Sequence, residues 1–389
     1  MAYTTTVIGT QTTVNQLAAN QMPDVDRFLY LLEPYQTPLM QSLYFSKNSS
    51  EKVINENGKF SWFEDELFPH QTTITNITGG ATSEDNITVG SYTVFNVGDV
   101  WLIDTTEQVV YIDSLDSNQV DITILDGSTL ITACTTGYMR KIGSRNHEFD
   151  VARTAAFTSE IEKFNYCTIH SETVTTSGRY QAGEKDTNGK SHAEQVKKAT
   201  LQMKLTFERN FWFSTLAYSG TISTNYRITF GEGFLGRVTT NKIPYTGTIT
   251  EDVFEDFLKT VMQKGSKTRD IYGGADAIMD INKFIKNKYQ LQNMTKEYGI
   301  NVTTYLTPFG EAKIKWNPIF EGKFSYSLFA VDPKNIKMRY MDSDDKGSRK
   351  FRLEQNVETP GTDGKSTKLL ADIGCQIPNE EVHGILYKA

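Results

Sequence analysis

The 389-residue sequence is poor in the residues that mark secreted, membrane and catalytic proteins. Its three cysteines, Cys134, Cys167 and Cys375, lie far apart and form no CxxC. They cannot supply a disulfide framework and read as three reduced packing thiols. No basic residue precedes Arg27, so a signal-peptide n-region is missing. No apolar run approaches the roughly 18 residues of a membrane span. The chain is therefore expected to be soluble and made in a cytoplasm. Positive charge is also in deficit: 40 Lys+Arg against 47 Asp+Glu give −7. That balance argues against a dedicated nucleic-acid binder, which would show a basic face. Only five histidines occur, and His70, His170, His192 and His383 share no ligand spacing. His147-Glu148-Phe149-Asp150 lacks further ligands nearby, and Asp342–Asp345 lacks the glycine and distal glutamate of a calcium loop. No nucleophile elbow and no Ser–His–Asp or Cys–His arrangement is visible. No cofactor and no metal is expected.

What is present begins with Ser191–Tyr218, which the spacing predicts as one long helix. Ser191 and Glu194 form a capping box, and the next glycine is Gly220. One apolar stripe holds Ala193, Val196, Thr200, Met203, Phe207, Phe211 and Tyr218, with Val196, Met203, Phe207 and Phe211 as its core. A second stripe holds Leu201, Leu205, Trp212 and Leu216. Two apolar faces place a helix between layers.

Around this spine the sequence is rich in strand and loop. Residues 1–22 are polar and read as an arm. Residues 24–45 carry a short helical pattern broken at Pro34 and Pro38. Lys59–Glu66 is aromatic and extended, and Thr72–Asn86 reads as loop. Apolar runs across residues 90–143, punctuated by Gly98-Asp99, Asp116-Ser117-Asn118 and Asp126-Gly127, predict a small antiparallel barrel. Tyr166–Thr176 has strong β propensity but no clean alternation, which predicts an arm leaving its own domain. Thr250 and Asp280 are expected to cap two helices, interleaved with strands in an α/β domain from about 245 to 345. Leu369–Ile377 and Val382–Tyr387 read as closing strands that return to the spine helix.

Four stretches stand out in order: Leu32-Glu33-Pro34-Tyr35-Gln36-Thr37-Pro38-Leu39, Phe60-Ser61-Trp62-Phe63-Glu64-Asp65-Glu66-Leu67, Tyr92–Val100, and Asn165–Ile169 with Val174, Ser177 and Gly178. Together with the order of the elements around them, they resemble the major capsid proteins of tailed bacteriophages with the Hong Kong 97-like fold. The resemblance implies an α+β chain with an N-terminal arm (1–55) and an extended loop (56–185) carrying a barrel (about 90–143). A peripheral domain with the spine helix (186–244), an axial domain (245–345) and peripheral closing strands (346–389) would follow.

It implies a structural protein rather than an enzyme, assembling with itself into hexamers and pentamers of an icosahedral shell. Packaged double-stranded DNA would lie on the inner surface, with scaffold, portal and decoration proteins as further partners and no membrane. The chain would assemble in the host cytoplasm and reside in the virion capsid. Phe60, Trp62, Phe63, Tyr166, Ile169 and Val174 are the candidate inter-subunit contacts. They are expected to pair as a hairpin over a neighbouring subunit, with Trp62 as the anchor.

Two other readings stand beside this one. One is another phage structural protein, of a tail tube or a decoration. The second is a nucleotide-dependent enzyme resting on Gly231-Glu232-Gly233-Phe234-Leu235-Gly236, a literal G-x-G-x-x-G. The phosphate fingerprint needs a buried parallel strand before it and a helix after it, and neither is evident here. The glycines more simply permit a tight bend.

Overall fold

The computed structural model describes residues 37–45, 50–55, 57–116, 119–125, 129–146, 148, 157–183, 191–223, 226–286, 292–297, 300–343 and 347–389. The arm at 1–22, the pattern at 24–36 and most of His147–Asp150 lie outside these residues. The chain opens with α1 (Pro38–Phe45), β1 (Ser50–Val53) and β2 (Lys59–Glu64). Six strands follow: β3 (Gln71–Asn76), β4 (Ser83–Val89), β5 (Asp99–Ile103), β6 (Gln108–Asp116), β7 (Gln119–Ile124) and β8 (Gly137–Ser144). Next come β9 (Ile161–Tyr166), β10 (Thr168–Ser177), α2 (Gly178–Ala182), α3 (Ser191–Phe213), β11 (Ala217–Ser223), β12 (Tyr226–Phe230) and α4 (Phe234–Arg237). A mixed region holds β13 (Lys242–Tyr245), α5 (Glu251–Met262), β14 (Thr268–Gly273), α6 (Ala275–Lys286), β15 (Gln292–Glu297), β16 (Ile300–Thr307), β17 (Gly310–Trp316) and β18 (Leu328–Val331). The chain closes with β19 (Lys337–Ser343), β20 (Gly347–Ser348), β21 (Arg352–Gln355), β22 (Gly364–Gln376) and β23 (Gly384–Lys388). Two compact units result: residues 62–163, and residues 1–61 with 164–389.

The smaller unit is a closed barrel in the order β3-β4-β7-β6-β5-β8. Alternate residues point inward, as a pleated strand requires. Trp101 and Ile103, Val110 and Ile112, and Val120, Ile122 and Ile124 therefore fill the interior. Closure satisfies every strand on both sides and leaves no free edge. Asp99 is the buried charge here, held by Lys141 Nζ at 2.6 Å. The barrel starts at Gln71, earlier than the residue 90 expected from sequence. Thr72–Asn86 supplies β3 and β4 rather than loop. Threonine suits a pleated surface, and Thr72, Ile74, Ile87 and Val89 are the inward positions of these two strands. Tyr92–Val94 forms one 3-10 turn instead of a strand.

In the larger unit a seven-stranded mixed sheet runs β13-β23-β18-β14-β17-β16-β15. Its residues alternate between two cores. Ile271, Leu328, Ala330 and Leu386 pack with Phe254, Phe257, Leu258 and Val261 of α5. Tyr272, Phe329, Val331 and Ile385 face the other way, into a cluster with Met203, Phe207, Phe211 and Trp212 of α3. A second sheet, β1-β19-β22-β10, contributes Met338, Leu369, Ala371, Ile373 and Cys375 to that same cluster. The spine helix thus lies between layers, as its two apolar stripes require.

Several sequence expectations are corrected. The helix α3 stops at Phe213, so Tyr218 falls in β11 and Gly220 is not its terminator. Its Ser191 cap lies outside what the structure describes. Asp280 lies in the middle of α6 and caps nothing. It accepts from Ile249 N–H at 3.3 Å and from Lys283 at 2.8 Å. The helix instead starts after Gly273-Gly274, with Ser325 Oγ accepting from Asp276 N–H at 3.3 Å. Residues 337–343 leave the axial sheet for the second one, whereas β23 sits between β13 and β18. Only one face of β23, through Ile385, returns to the spine cluster.

Candidate assembly site

The spine helix carries the residues that decide whether the subunit holds its shape. Met203, Phe207 and Phe211 are buried, but Val196 is only half-buried and lies outside the cluster. Leu205 and Trp212 of the second stripe are buried, while Leu201 and Leu216 are exposed. The helix is anchored through its C-terminal half. Trp212 is enclosed by Phe234, Tyr272, Phe320 and Phe329, with ring centroids 5.0–5.1 Å away. Offset aromatic pairs at such distances add to the area they bury.

Between Phe207 and Trp212 sits a residue the sequence reading passed over. Glu208 is fully buried. Its carboxylate accepts from Leu39 N–H at 3.1 Å, Met40 N–H at 2.7 Å, Trp212 Nε1 at 2.9 Å and Asn317 Nδ2 at 3.1 Å. The two backbone donors belong to the first turn of α1, where helical N–H groups have no partner of their own. Glu208 therefore acts as a cap supplied from a distant helix, and it ties α1, α3 and the turn after β17 together. Burial pushes its carboxyl up to about 7, against the four donors that pull it down. The available signal was a glutamate flanked by the two apolar stripes.

The glycine motif has a mechanical explanation. An added Cβ at Gly231 would stand 2.3 Å from Tyr166 O, and one at Gly233 would stand 2.6 Å from Asn210 O and Phe211 O. Here bare backbone packs against bare backbone. Gly233 N–H donates to Ser214 O at 3.0 Å, Gly231 N–H to Thr168 Oγ1 at 2.8 Å, and Glu232 N–H to Asn165 Oδ1 at 2.7 Å. Asn165 Nδ2 donates to Glu232 O and Cys375 O at 2.9 and 2.7 Å. The first three N–H groups of the motif are spent on the chain itself, and the helix after it, α4, is four residues long. It closes the C-terminus of the spine helix and leaves no cradle for a phosphate.

Tyr166–Thr176 is not a departing arm. β10 pairs with β22 along all ten residues, from Thr168↔Ile373 to Ser177↔Gly364. Its even-numbered side chains face α3. His170 packs edge-on against Phe207 at 4.9 Å and meets Asn210 Nδ2 at 3.0 Å. His192 bridges Thr176 Oγ1 at 2.8 Å and Thr367 Oγ1 at 2.9 Å. Polar partners on the helix explain why the inward face looks polar in sequence. Burial lowers His170 to about 4.

The six contact candidates divide accordingly. Phe60 is buried beside Gly374, with Arg339 over its ring at 5.9 Å. Val174 packs on the spine cluster, and Tyr166 is half-buried. Trp62 is buried within its own chain, its Nε1 donating to Glu64 at 2.7 Å, so the exposed neighbour is Phe63, 66% accessible. Ile169 is exposed as well. β2 pairs with β9, and Asp65 accepts from Thr158 Oγ1 at 3.1 Å. Leu67, Phe157 and Ile161 of the same unit are, like Phe63, more than half exposed. Contiguous exposed apolar side chains mark an interaction surface.

Among the described residues no group of His, Cys, Asp or Glu could hold a metal ion. Among the same residues no helix is long and apolar enough to cross a membrane. All three cysteines are buried and unpaired, and burial raises the Cys167 and Cys375 thiols. A second buried pair, Arg269 with Asp332 at 3.2 Å, braces the end of α5, where Arg269 also donates to Val261 O at 3.1 Å.

Residues 4–389 match the family described as SU10 major capsid protein. No curated protein matches the chain. Among solved structures, the cyanophage A-1(L) capsid is similar over 97% of this chain and 99% of that one, at 6% identity and a TM-score of 0.54. The capsid of a native GTA particle is 7% identical, with 96% of each chain covered and a TM-score of 0.48. Microbacterium phage Oxtober96 is 8% identical over 97% of this chain and 99% of that one, with a TM-score of 0.47. At such identities a likeness concerns the fold alone, and of these three only the cyanophage capsid is similar enough to support it.

Proposed function

Because the chain belongs to the SU10 major capsid protein family, we propose that it tiles an icosahedral head as hexamers and pentamers around double-stranded DNA. The chain is a virion capsid protein that assembles from copies of itself. The observation that carries the finer reading is the exposure of four large apolar side chains of one unit, Phe63, Leu67, Phe157 and Ile161, which we place in a single strip. Such a strip beside Glu64, Asp65 and Glu66 fits an interface core with a polar rim. Phe63 and Ile169 are the contact residues proposed from the original six, since Phe60 and Trp62 are buried and Tyr166 and Val174 half-buried.

Charge favours one unit over the other for contact with DNA. Residues 62–163 hold sixteen Asp and Glu against five Lys and Arg, a net −11, and the remainder of the chain is left with +4. A polyanion is repelled by the first and tolerated by the second. Scaffold, portal and decoration proteins complete the proposed partners, and the bacterial cytoplasm is the proposed place of assembly.

The test is Phe63→Asp, read by thermal melting of the free subunit and particle yield on a sucrose gradient. Melting within about 1 kcal/mol of wild type, as expected for an exposed position, with loss of particles supports the reading. Normal particle yield removes the strip from the interface.

A further inference from the structure

Among the described residues the two larger sheets of the body end in four strands, β1, β10, β13 and β15, and three of these are guarded. β1 is four residues long, with Glu51 paired to Lys337 and Arg339 and Lys52 to Asp342. β13 is also four residues and contains Pro244. β15 carries Lys296 and Glu297. Short length, charge and proline are the usual means by which an edge is kept from pairing with another chain. β10 has none of them. It is ten residues long, without proline, lysine or arginine, and its one charge, Glu172, lies on the side turned toward the helix.

The unpaired backbone groups can be assigned. Asp372 N–H donates to Arg349 O at 2.8 Å, and Ser366 O accepts from Val357 N–H at 3.1 Å. Both residues thus turn their backbone away from β10. They stand opposite Ile169 and Thr175. Because pairing alternates along an antiparallel ladder, the even residues of β10 bond to β22. The N–H and C=O groups of Ile169, Ser171, Thr173 and Thr175 point to the free edge. No strand forms a ladder with them among the described residues, and β12 comes near only the start of β10, where Gly231 N–H donates to Thr168 Oγ1.

We propose that this edge pairs with β10 of a second copy, antiparallel across a two-fold axis, joining two β1-β19-β22-β10 sheets into one. The proposal rests on the capsid reading and specifies one contact within it. A two-fold contact is self-complementary by construction, and the charge pattern selects its register. Centring on Glu172 would set two carboxylates directly opposite, which is destabilising. Centring on Thr173 places Thr173 against Thr173, Ser171 against Thr175, Ile169 against Ser177, and Glu172 against Val174. This is the longest overlap in which no glutamate faces another. The outer face of the joint is then uncharged, formed by Ile169, Ser171, Thr173 and Thr175.

The experiment uses full-length protein with Thr173→Cys or Ile169→Cys, treated with a short bis-maleimide as assembled particles and as free subunits. The native thiols are buried. Cross-linked dimers in Thr173→Cys particles and none in Ile169→Cys particles are the expected result. Hydrogen exchange at Ile169, Ser171, Thr173 and Thr175 should slow at least tenfold on assembly. Slowed exchange without the Thr173 cross-link means that a different strand occupies the edge, and overturns the proposal. Unchanged exchange overturns it outright. If wild type forms no particles under any condition, the capsid reading is what fails. The same cross-link on concentrated free subunits then decides the edge by itself, with dimers supporting it and monomers overturning it.

Discussion

The barrel unit and the body solve the same problem in opposite ways. The barrel closes on itself, so its strands need no neighbour and its interior is nearly all aliphatic. The body keeps open sheets and buries charge: Glu208 under α1, Arg269 with Asp332, and Lys315 with Asp270 at 2.9 Å. Buried polar groups cost desolvation and contribute stability only when each is matched. A closed barrel can therefore be inserted as a finished part. The body's stability instead hangs on a few cross-links between elements far apart in sequence, Leu39 to Glu208 being one. An open edge is also what allows a subunit to join others.

Glu208→Ala should break the body most severely. It leaves two backbone N–H groups, an indole N–H and an amide without an acceptor, at about 1–3 kcal/mol each and not additively. Loss of soluble protein, or a melting shift equivalent to about 3 kcal/mol or more, is expected. A shift below that would mean water replaces the carboxylate. Phe207→Ala should cost about 3–5 kcal/mol by leaving a cavity under His170 and the second sheet. Trp101→Ala should cost a similar amount, about 3–5 kcal/mol, but inside the barrel alone. Calorimetry should show the barrel's transition falling while that of the body stays put. A single transition moving as one would show that the two units unfold together.

Acid sharpens the same contrast. The folded pKa of Glu208, about 7, lies above its unfolded 4.5. Its contribution is full below the lower value and is lost as pH rises through the upper. His170 and His383 are both lowered from 6.5 to about 4 by burial. Their contribution is full above 6.5 and is lost as pH falls through 4. Between pH 4.5 and 6.5 the two effects oppose each other in the body. Glu208→Gln removes only the first, so its melting temperature should fall more steeply on acidification than that of wild type. Equal slopes would mean that the carboxylate is not neutralised by burial. The smallest effect belongs to excision of Gln71–Ser144 with a Gly/Ser bridge. Far-UV circular dichroism should keep its helical signal and the body should melt as before, whereas global collapse would contradict an independent barrel.

Periodicity made some of this legible in the sequence. The apolar spacing around Met203, Phe207 and Phe211 determined a helix between layers, and alternation at Val120, Ile122 and Ile124 determined a barrel strand. The fold class and the family resemblance followed from the order of such elements. Patterns of this kind are local, because a side chain's face depends only on its place along a helix or strand. The tertiary structure decided the rest. The spine helix ends at Phe213 because Gly233 docks on its last carbonyls, twenty residues later in the chain. β10 looks like a stray arm until His192 and Asn210 answer its polar face. Trp62 is buried where the sequence suggested an exposed anchor, its Nε1 donating to Glu64 within its own strand, and Phe63 is left exposed. A hydrogen bond between distant residues leaves no period in the sequence. It satisfies single atoms, and only the folded chain brings those atoms together.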